Sequence, residues 1–263
     1  MYICADLKST TVRDSTPFEE SQPWFETWFD SPYYHTLYAN RDEEEARAFI
    51  DAILDRLQPA PHARMLDLAC GQGRYSRYLA EKGFAEVVGL DLSVRSIQEA
   101  RKHEAENLSY YTHDMRLPYR ANYFDFIFNF FTSFGYFEQD KEDLRTLQSI
   151  RKGLRPEGVF ILDFFNAQYV IDHLTGSEQK EKGGIQFDLH KEVKGNRIIK
   201  HIAFRDQGKP FSFTESVRLY FHDEFEHMFE QAGLTITERF GDYQLHPFDS
   251  HISPRLILEA RRS

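Results

Sequence analysis

Along residues 42–57, "DEEEARAFIDAILDRL", the apolar positions Ala46, Phe49, Ile50, Ile53, Leu54 and Leu57 recur at helical spacing behind Asp42, which is placed to cap a helix ending before Pro59. The rhythm then shortens. "ARMLDLA" (63–69) reads as a buried strand, "GRYSRYLAEKG" (73–83) as a helix closed by Gly83, and "AEVVGLDLS" (85–93) as a second strand. Ser93 is placed to cap a helix over 94–103. "LSYYTHD" and "FDFIFNFF" follow as third and fourth strands, "KEDLRTLQSIRKGL" as a helix and "GVFILDFF" as a fifth strand. Alternating strands and helices predict an α/β fold built on a doubly wound, mostly parallel sheet.

From Gly176 the period changes to two. "IQFDLHKEVKGNRIIKHIAFRDQGKPFSFTESVRLYF" (185–221) alternates apolar and polar residues around the turn signals Gly195-Asn196 and Gln207-Gly208, which predicts an antiparallel β-insertion over 176–221. The helix "DEFEHMFEQAG" follows, with Asp223 and Glu226 spaced as a capping box and Gly233 as its stop. "LTITERFG" and "RLILEAR" then complete a seven-stranded sheet. The chain so divides into an N-terminal helical lid segment (1–60), a core (61–175 and 222–263) and the insertion. Because the insertion leaves the sheet after strand five, at the carboxyl ends where a parallel sheet binds its ligand, it is expected to form a substrate-side lid. The plainer alternative is an embellishment of a sheet edge. The charged runs "RDEEEAR" and "SEQKEKGG" read as solvated faces.

Composition narrows the partner. A net charge of −10 opposes the basic footprint that nucleic acid requires and favours a small molecule. Cys4 and Cys70 are too few for a disulfide framework or a four-cysteine zinc site, so no metal is expected and a reducing cytoplasm is the simplest setting. No stretch approaches the roughly 18 apolar residues of a membrane span. The choice between monomer and homodimer stays open.

The chemistry concentrates in "LDLACGQGRYS" (66–76), where a carboxylate sits inside an apolar run just before Gly71 and Gly73. A dinucleotide turn wants a third glycine, but Ser76 stands there, and Asp67 is an unwelcome neighbour for a pyrophosphate. A carboxylate suits an ammonium. S-adenosyl-L-methionine carries an ammonium, a carboxylate, a sulfonium and an adenosine. Asp91 at the end of the second strand can accept both ribose hydroxyls, and Asp114 after the third can accept the adenine amino group beside the Met115 backbone. Each acid has a plainer alternative: Asp67 a cap partner for the first helix, Asp91 a loop cap, Asp114 part of a polar turn before Pro118.

In order and spacing, "LDLACGQG", "VVGLDLS", "YYTHDMRLP", "YFDFIFNFFTSFGYF" and "LRPEGVFILDFFN" resemble the core of class I S-adenosylmethionine-dependent methyltransferases, a Rossmann-like fold. The resemblance covers residues 64–166. It implies Asp67, Ala69, Cys70, Gly71 and Gly73 at the methionine portion of the cofactor, with Asp91 and Leu92 at the ribose. It further implies Asp114 and Met115 at the adenine, with Asn129, Phe130 and Ser133 lining the cofactor after strand four. Arg74 can bind a carboxylate or stabilise its helix surface. The flanks "SPYYHTLYANRD" and "GDYQLHPFDSHISPRLILEAR" resemble bacterial small-molecule methyltransferases, among them amino-sugar and glycine-type N-methyltransferases, which implies Tyr34, Tyr38 and Arg41 over the cofactor.

Methyl transfer is mainly an alignment problem. Holding a near-attack pair contributes about 7–11 kcal/mol, against the roughly 10²–10⁴-fold typical of one general base, so a dedicated base is optional. Candidates for catalytic groups are Tyr34, Tyr136, Asp163 and Asn166, and Arg255 is placed to meet an anionic substrate or a nearby carboxylate. The reading is methyl transfer to nitrogen or oxygen of a small molecule. The competing readings are a nicotinamide-dependent oxidoreductase on a similar sheet and a catalytically silent S-adenosylmethionine-binding protein.

Overall fold

The computed structural model describes residues 23–39 and 43–263; Asp42 and Arg41, named above, lie outside them. Helix α3 (Glu43–Leu57) leads into β1 (Arg64–Leu68), α4 (Arg74–Glu81), β2 (Glu86–Asp91), α5 (Val94–Ala100), β3 (Leu108–Thr112), β4 (Phe124–Asn129), α6 (Asp140–Gly153) and β5 (Leu154–Phe165). A short α7 (Ala167–Asp172) precedes the insertion; α8 (His222–Ala232), β10 (Leu234–Phe240) and β11 (Arg255–Arg262) close the chain. The main sheet has the order β10-β11-β5-β4-β1-β2-β3, parallel from β3 to β5, with β11 antiparallel to both its neighbours.

Both faces of this sheet are covered, which is why its central strands read as unbroken apolar runs. On one face Leu66, Phe160 and Phe164 pack with Leu147 and Ile150 of α6 and with Phe225 and Phe229 of α8. On the other, Met65, Val87 and Phe128 meet Phe49, Ile50 and Ile53 of α3, Leu79 of α4 and Ile97 of α5. The chain reverses its strand order between β1 and β4, and the crevice beyond their carboxyl ends is where such sheets place a ligand.

The insertion is a separate four-stranded antiparallel sheet, β6 (Ser177–Lys182), β7 (Ile185–Lys194), β8 (Arg197–Asp206) and β9 (Lys209–Arg218), in that order. Its apolar face, Phe187, Leu189, Ile202 and Phe204, buries Trp28 and Leu37 from the two short helices α1 (Trp24–Phe29) and α2 (Pro32–Leu37).

Several expectations change. "SEQKEKGG" is mostly exposed, as expected, and is in addition the edge strand β6 and its turn; with no apolar alternation, only pairing to β7 makes it a strand. The capping box at Asp223 and Glu226 is displaced: the helix starts at His222, Glu224 accepts from the Phe221 N–H at 2.9 Å, and Glu226 instead pairs with Arg239. Within the expected lid segment, α3 packs into the main core, and only α1 and α2 lie on the insertion.

Candidate active site

The turn after β1 is shaped by what lies beneath it. Tyr110, fully buried on β3, reaches under the turn and donates its hydroxyl to the Gly73 carbonyl at 3.3 Å. A Cβ on Gly73 would stand 2.3 Å from that hydroxyl, and Gly73 holds φ of +79°, so only glycine fits. Ala69 at φ +61° and Gly71 at φ +57° complete a sharp bend that delivers the chain to the first turn of α4.

Asp91 ends β2 beside this bend. One carboxylate oxygen accepts from the Gly71 N–H and the other from the Ser93 N–H, each at 2.8 Å. Loss of solvent pushes its pKa up against these bonds. A carboxylate offers about four acceptor positions, more than these two bonds use. Asp91 therefore caps the loop, the plainer of its two readings, with acceptor capacity to spare. Asp114 is clasped by Arg116, whose backbone N–H, Nε and Nη2 donate to it at 2.7 to 3.0 Å. Burial opposes ionisation of Asp114, but the Arg116 bonds and charge outweigh it and hold the carboxyl low, an anion at neutral pH.

A cavity of about 590 Å³ opens at the carboxyl ends of β1, β2 and β4, within the range of small-molecule sites. Ala69, Cys70, Gly71 and Arg74 form its floor beside the bend, with Asp91, Leu92, Asp114 and Met115 along one side. Phe130, Ser133 and Tyr136 line the loop after β4, and Tyr34 and Tyr38 come from the α2 segment. Sequence reasoning missed Phe25 and Phe29 of α1, which complete the aromatic wall, because a six-residue helix outside any motif carries no periodic signal.

Five expected site residues do not line the cavity. Asp67 is 1% exposed and accepts from the Ser76 hydroxyl at 2.5 Å, anchoring α4 from below, the plainer of its two readings. Gly73 shapes the turn without facing the space. Asn129 is buried, its amide donating to the Leu68 and Ser133 carbonyls, and it ties β1 to the next loop. Asn166 is likewise spent, capping α7 and donating to the Ser250 and Ser253 carbonyls. Asp163 is 0% exposed and pairs with Arg255 at 2.5 Å, while its other oxygen accepts from the Phe131 N–H at 2.8 Å. It holds the bend at Phe131 and Thr132, both at positive φ, and Arg255 meets a carboxylate rather than a substrate. The insertion also departs from expectation: no residue of 176–221 lines the cavity.

Asp67 and Asp143 share a consequence. Desolvation raises each carboxyl to about 7, against hydrogen bonds from Ser76 and Tyr220 respectively. The unfolded chain releases these protons near pH 4. Between roughly pH 4 and 7 the folded state therefore holds more protons, and these two groups make stability fall as pH rises through that window. Urea unfolding at pH 5 and pH 7 is expected to show Asp67→Asn losing about 1–2 kcal/mol of the difference between the two. An unchanged difference would place the Asp67 proton elsewhere.

Residues 65–158 match a family model described as a methyltransferase domain. Over 241 residues the chain is 28% identical to a Bacillus subtilis (strain 168) protein named as a methyltransferase, YqeM, spanning 88% of this chain and 94% of that one. It is 25% identical over 205 residues to the dTDP-3-amino-3,6-dideoxy-alpha-D-glucopyranose N,N-dimethyltransferase of Streptomyces fradiae, spanning 74% and 79%. A crystal structure of an S-adenosylmethionine-dependent methyltransferase from Clostridium acetobutylicum ATCC 824 matches with TM-score 0.74 at 20% identity, covering 88% of this chain and 96% of that one. The architecture is thus the Rossmann-like methyltransferase fold with a β-insertion. The domain match at its core and the similarity along most of the chain are to methyltransferases, and the fold is that of S-adenosylmethionine-dependent ones. The nicotinamide reading falls away. Among the described residues no helix is long and apolar enough to cross a membrane.

Proposed function

We propose that the enzyme methylates a nitrogen of a small molecule, with the cofactor's adenosine along the Asp91 and Asp114 side of the cavity. The observation that carries the reading is that the cavity lined by Asp91 and Asp114 is also lined by a contiguous cluster of aromatic rings, Phe25, Phe29, Tyr34, Tyr38 and Tyr136. S-adenosylmethionine supplies an electrophilic methyl group on a sulfonium. The remaining acceptor positions of Asp91 take the two ribose hydroxyls, and the outer edge of Asp114 with the Met115 backbone takes the adenine. With Asp67 turned away, the methionine portion falls to the 69–72 backbone and Arg74. The aromatic wall excludes water and presents ring faces to positive charge, worth about 0.5–2 kcal/mol for each well-placed face. A methylated amine leaves as a cation and benefits from such a wall. A methylated alcohol does not.

The catalytic candidates divide on the same geometry. Asp163 and Asn166 are committed to structure, and Tyr136 donates its hydroxyl to the Thr132 carbonyl at 2.7 Å. Tyr34, which lines the cavity, stays as the candidate. The amino-sugar dimethyltransferase of Streptomyces fradiae supports an amine acceptor, and the acidic chain supports a small one. Incubating the enzyme with S-adenosylmethionine and a panel of amino sugars, their nucleotide conjugates, simple amines and matched alcohols tests this. Formation of S-adenosylhomocysteine is expected with amines and not with the alcohols. Turnover of the alcohols alone would reject the nitrogen assignment.

A further inference from the structure

The insertion touches both sides of the acceptor half of the cavity while contributing none of its surface. On β8, Arg197 donates from Nη1 to the Phe137 carbonyl at 2.9 Å and from Nη2 to the Gly135 and Tyr136 carbonyls at 3.1 and 3.2 Å. The same guanidinium reaches Ser216 on β9, donating to its hydroxyl and its carbonyl at 2.7 Å each. All five acceptors are neutral, so the fork of donors is used for shape rather than for charge pairing. The three carbonyls belong to the loop that brings Tyr136 and Phe137 to the cavity.

Glu215 is the next residue along β9. One of its carboxylate oxygens accepts from the Trp28 indole N–H and from the Tyr38 hydroxyl, at 2.7 Å each, and Lys200 donates to that hydroxyl at 2.5 Å. Trp28 and Tyr38 fix α1 and α2, which carry Phe25, Phe29 and Tyr34. The two walls then meet edge to face, Trp24 against Tyr136 with ring centroids 5.3 Å apart.

We infer that Arg197 and Glu215 form a clasp at the base of the β8–β9 hairpin that sets the width of the acceptor half of the cavity, joining the loop 135–137 to the helices α1 and α2. They are positioning residues. The inference rests on the proposed site only for which half receives the acceptor; the joining of the two walls is independent of it. It also accounts for an insertion that lies beside the cavity without lining it: truncating this sheet changes acceptor binding while leaving the cofactor's adenosine side intact.

The chain provides its own reporter, because both of its tryptophans, Trp24 and Trp28, lie in α1. The full-length protein and the variants Arg197→Ala, Glu215→Ala and Glu215→Gln are compared by acrylamide quenching of tryptophan emission and by calorimetric titration with S-adenosylhomocysteine. Each alanine variant is expected to raise the quenching constant by about twofold or more through local opening of the wall, with S-adenosylhomocysteine affinity changed by less than about threefold. Glu215→Gln keeps an acceptor for both donors and is expected to quench like the parent, which a general loss of stability would not allow. Arg197→Lys, able to reach only part of the carbonyl set, gives an intermediate value and stands in for the alanine variant if that chain does not fold. Unchanged quenching in the alanine variants would overturn the clasp. So would a loss of S-adenosylhomocysteine affinity in step with the quenching. Failure of every amine in the acceptor panel would leave the quenching result standing, so the two readings fail separately.

Discussion

Asp163→Ala is expected to destabilise the fold by about 3–5 kcal/mol, because it strands the Arg255 guanidinium and removes the acceptor of the Phe131 N–H. Arg255 bonds Asp163 through both Nε and Nη2 and carries on to the Thr132 hydroxyl at 3.0 Å. The pair therefore joins β5, β11 and the bend after β4 in one arrangement. At roughly 2–4 °C per kcal/mol for a chain of this size, the melting temperature should fall by about 10 °C, read by thermal unfolding monitored by circular dichroism. Asp163→Asn keeps one acceptor and should lie between. If Asp163→Ala melts with the parent yet abolishes turnover, Asp163 is a catalytic group after all and the structural assignment is wrong.

The main sheet was legible in the sequence because its central strands are buried on both faces and its helices are amphipathic, so both periods are written in side-chain hydrophobicity. Its end points were less so. "FDFIFNFF" reads as one strand, yet β4 stops at Asn129, since Asp163 draws the following residues into a bend that no local propensity favours. Edge strand β6 was invisible for a related reason: its partners, not its own residues, make it a strand.

The candidate site divides along the same line. Asp91 and Asp114 could be found because strand tips at the switch of strand order face the crevice wherever such a sheet forms. Asp67 could not be placed, because an acid at the end of a strand points either to the ligand or beneath the turn, and the choice is made by its hydrogen bond from Ser76, nine residues on in sequence. Asp163 and Asn166 stand at the carboxyl end of β5, where catalytic groups are sought. Their partners, Arg255 and the 250–253 segment, lie some ninety residues on, and pairing at that separation leaves no periodic trace. The aromatic wall from α1 escaped for want of a motif, although the surplus of Phe and Tyr was its compositional sign.

The central claim is that Asp91 holds the cofactor's ribose. Two hydrogen bonds to a charged acceptor contribute about 1.5–3 kcal/mol each, and every 1.4 kcal/mol is tenfold in affinity, so Asp91→Ala should weaken binding by roughly hundredfold or more. The variant also frees the Gly71 and Ser93 N–H groups that shape the turn, which adds to the loss. Asp91→Asn, with one carbonyl oxygen kept, should fall between. The direct measurement is calorimetric titration of the parent and Asp91→Ala with S-adenosylhomocysteine. The account predicts tight binding by the parent and a loss of at least about two orders of magnitude in the variant. Equal affinity in the two proteins would contradict it.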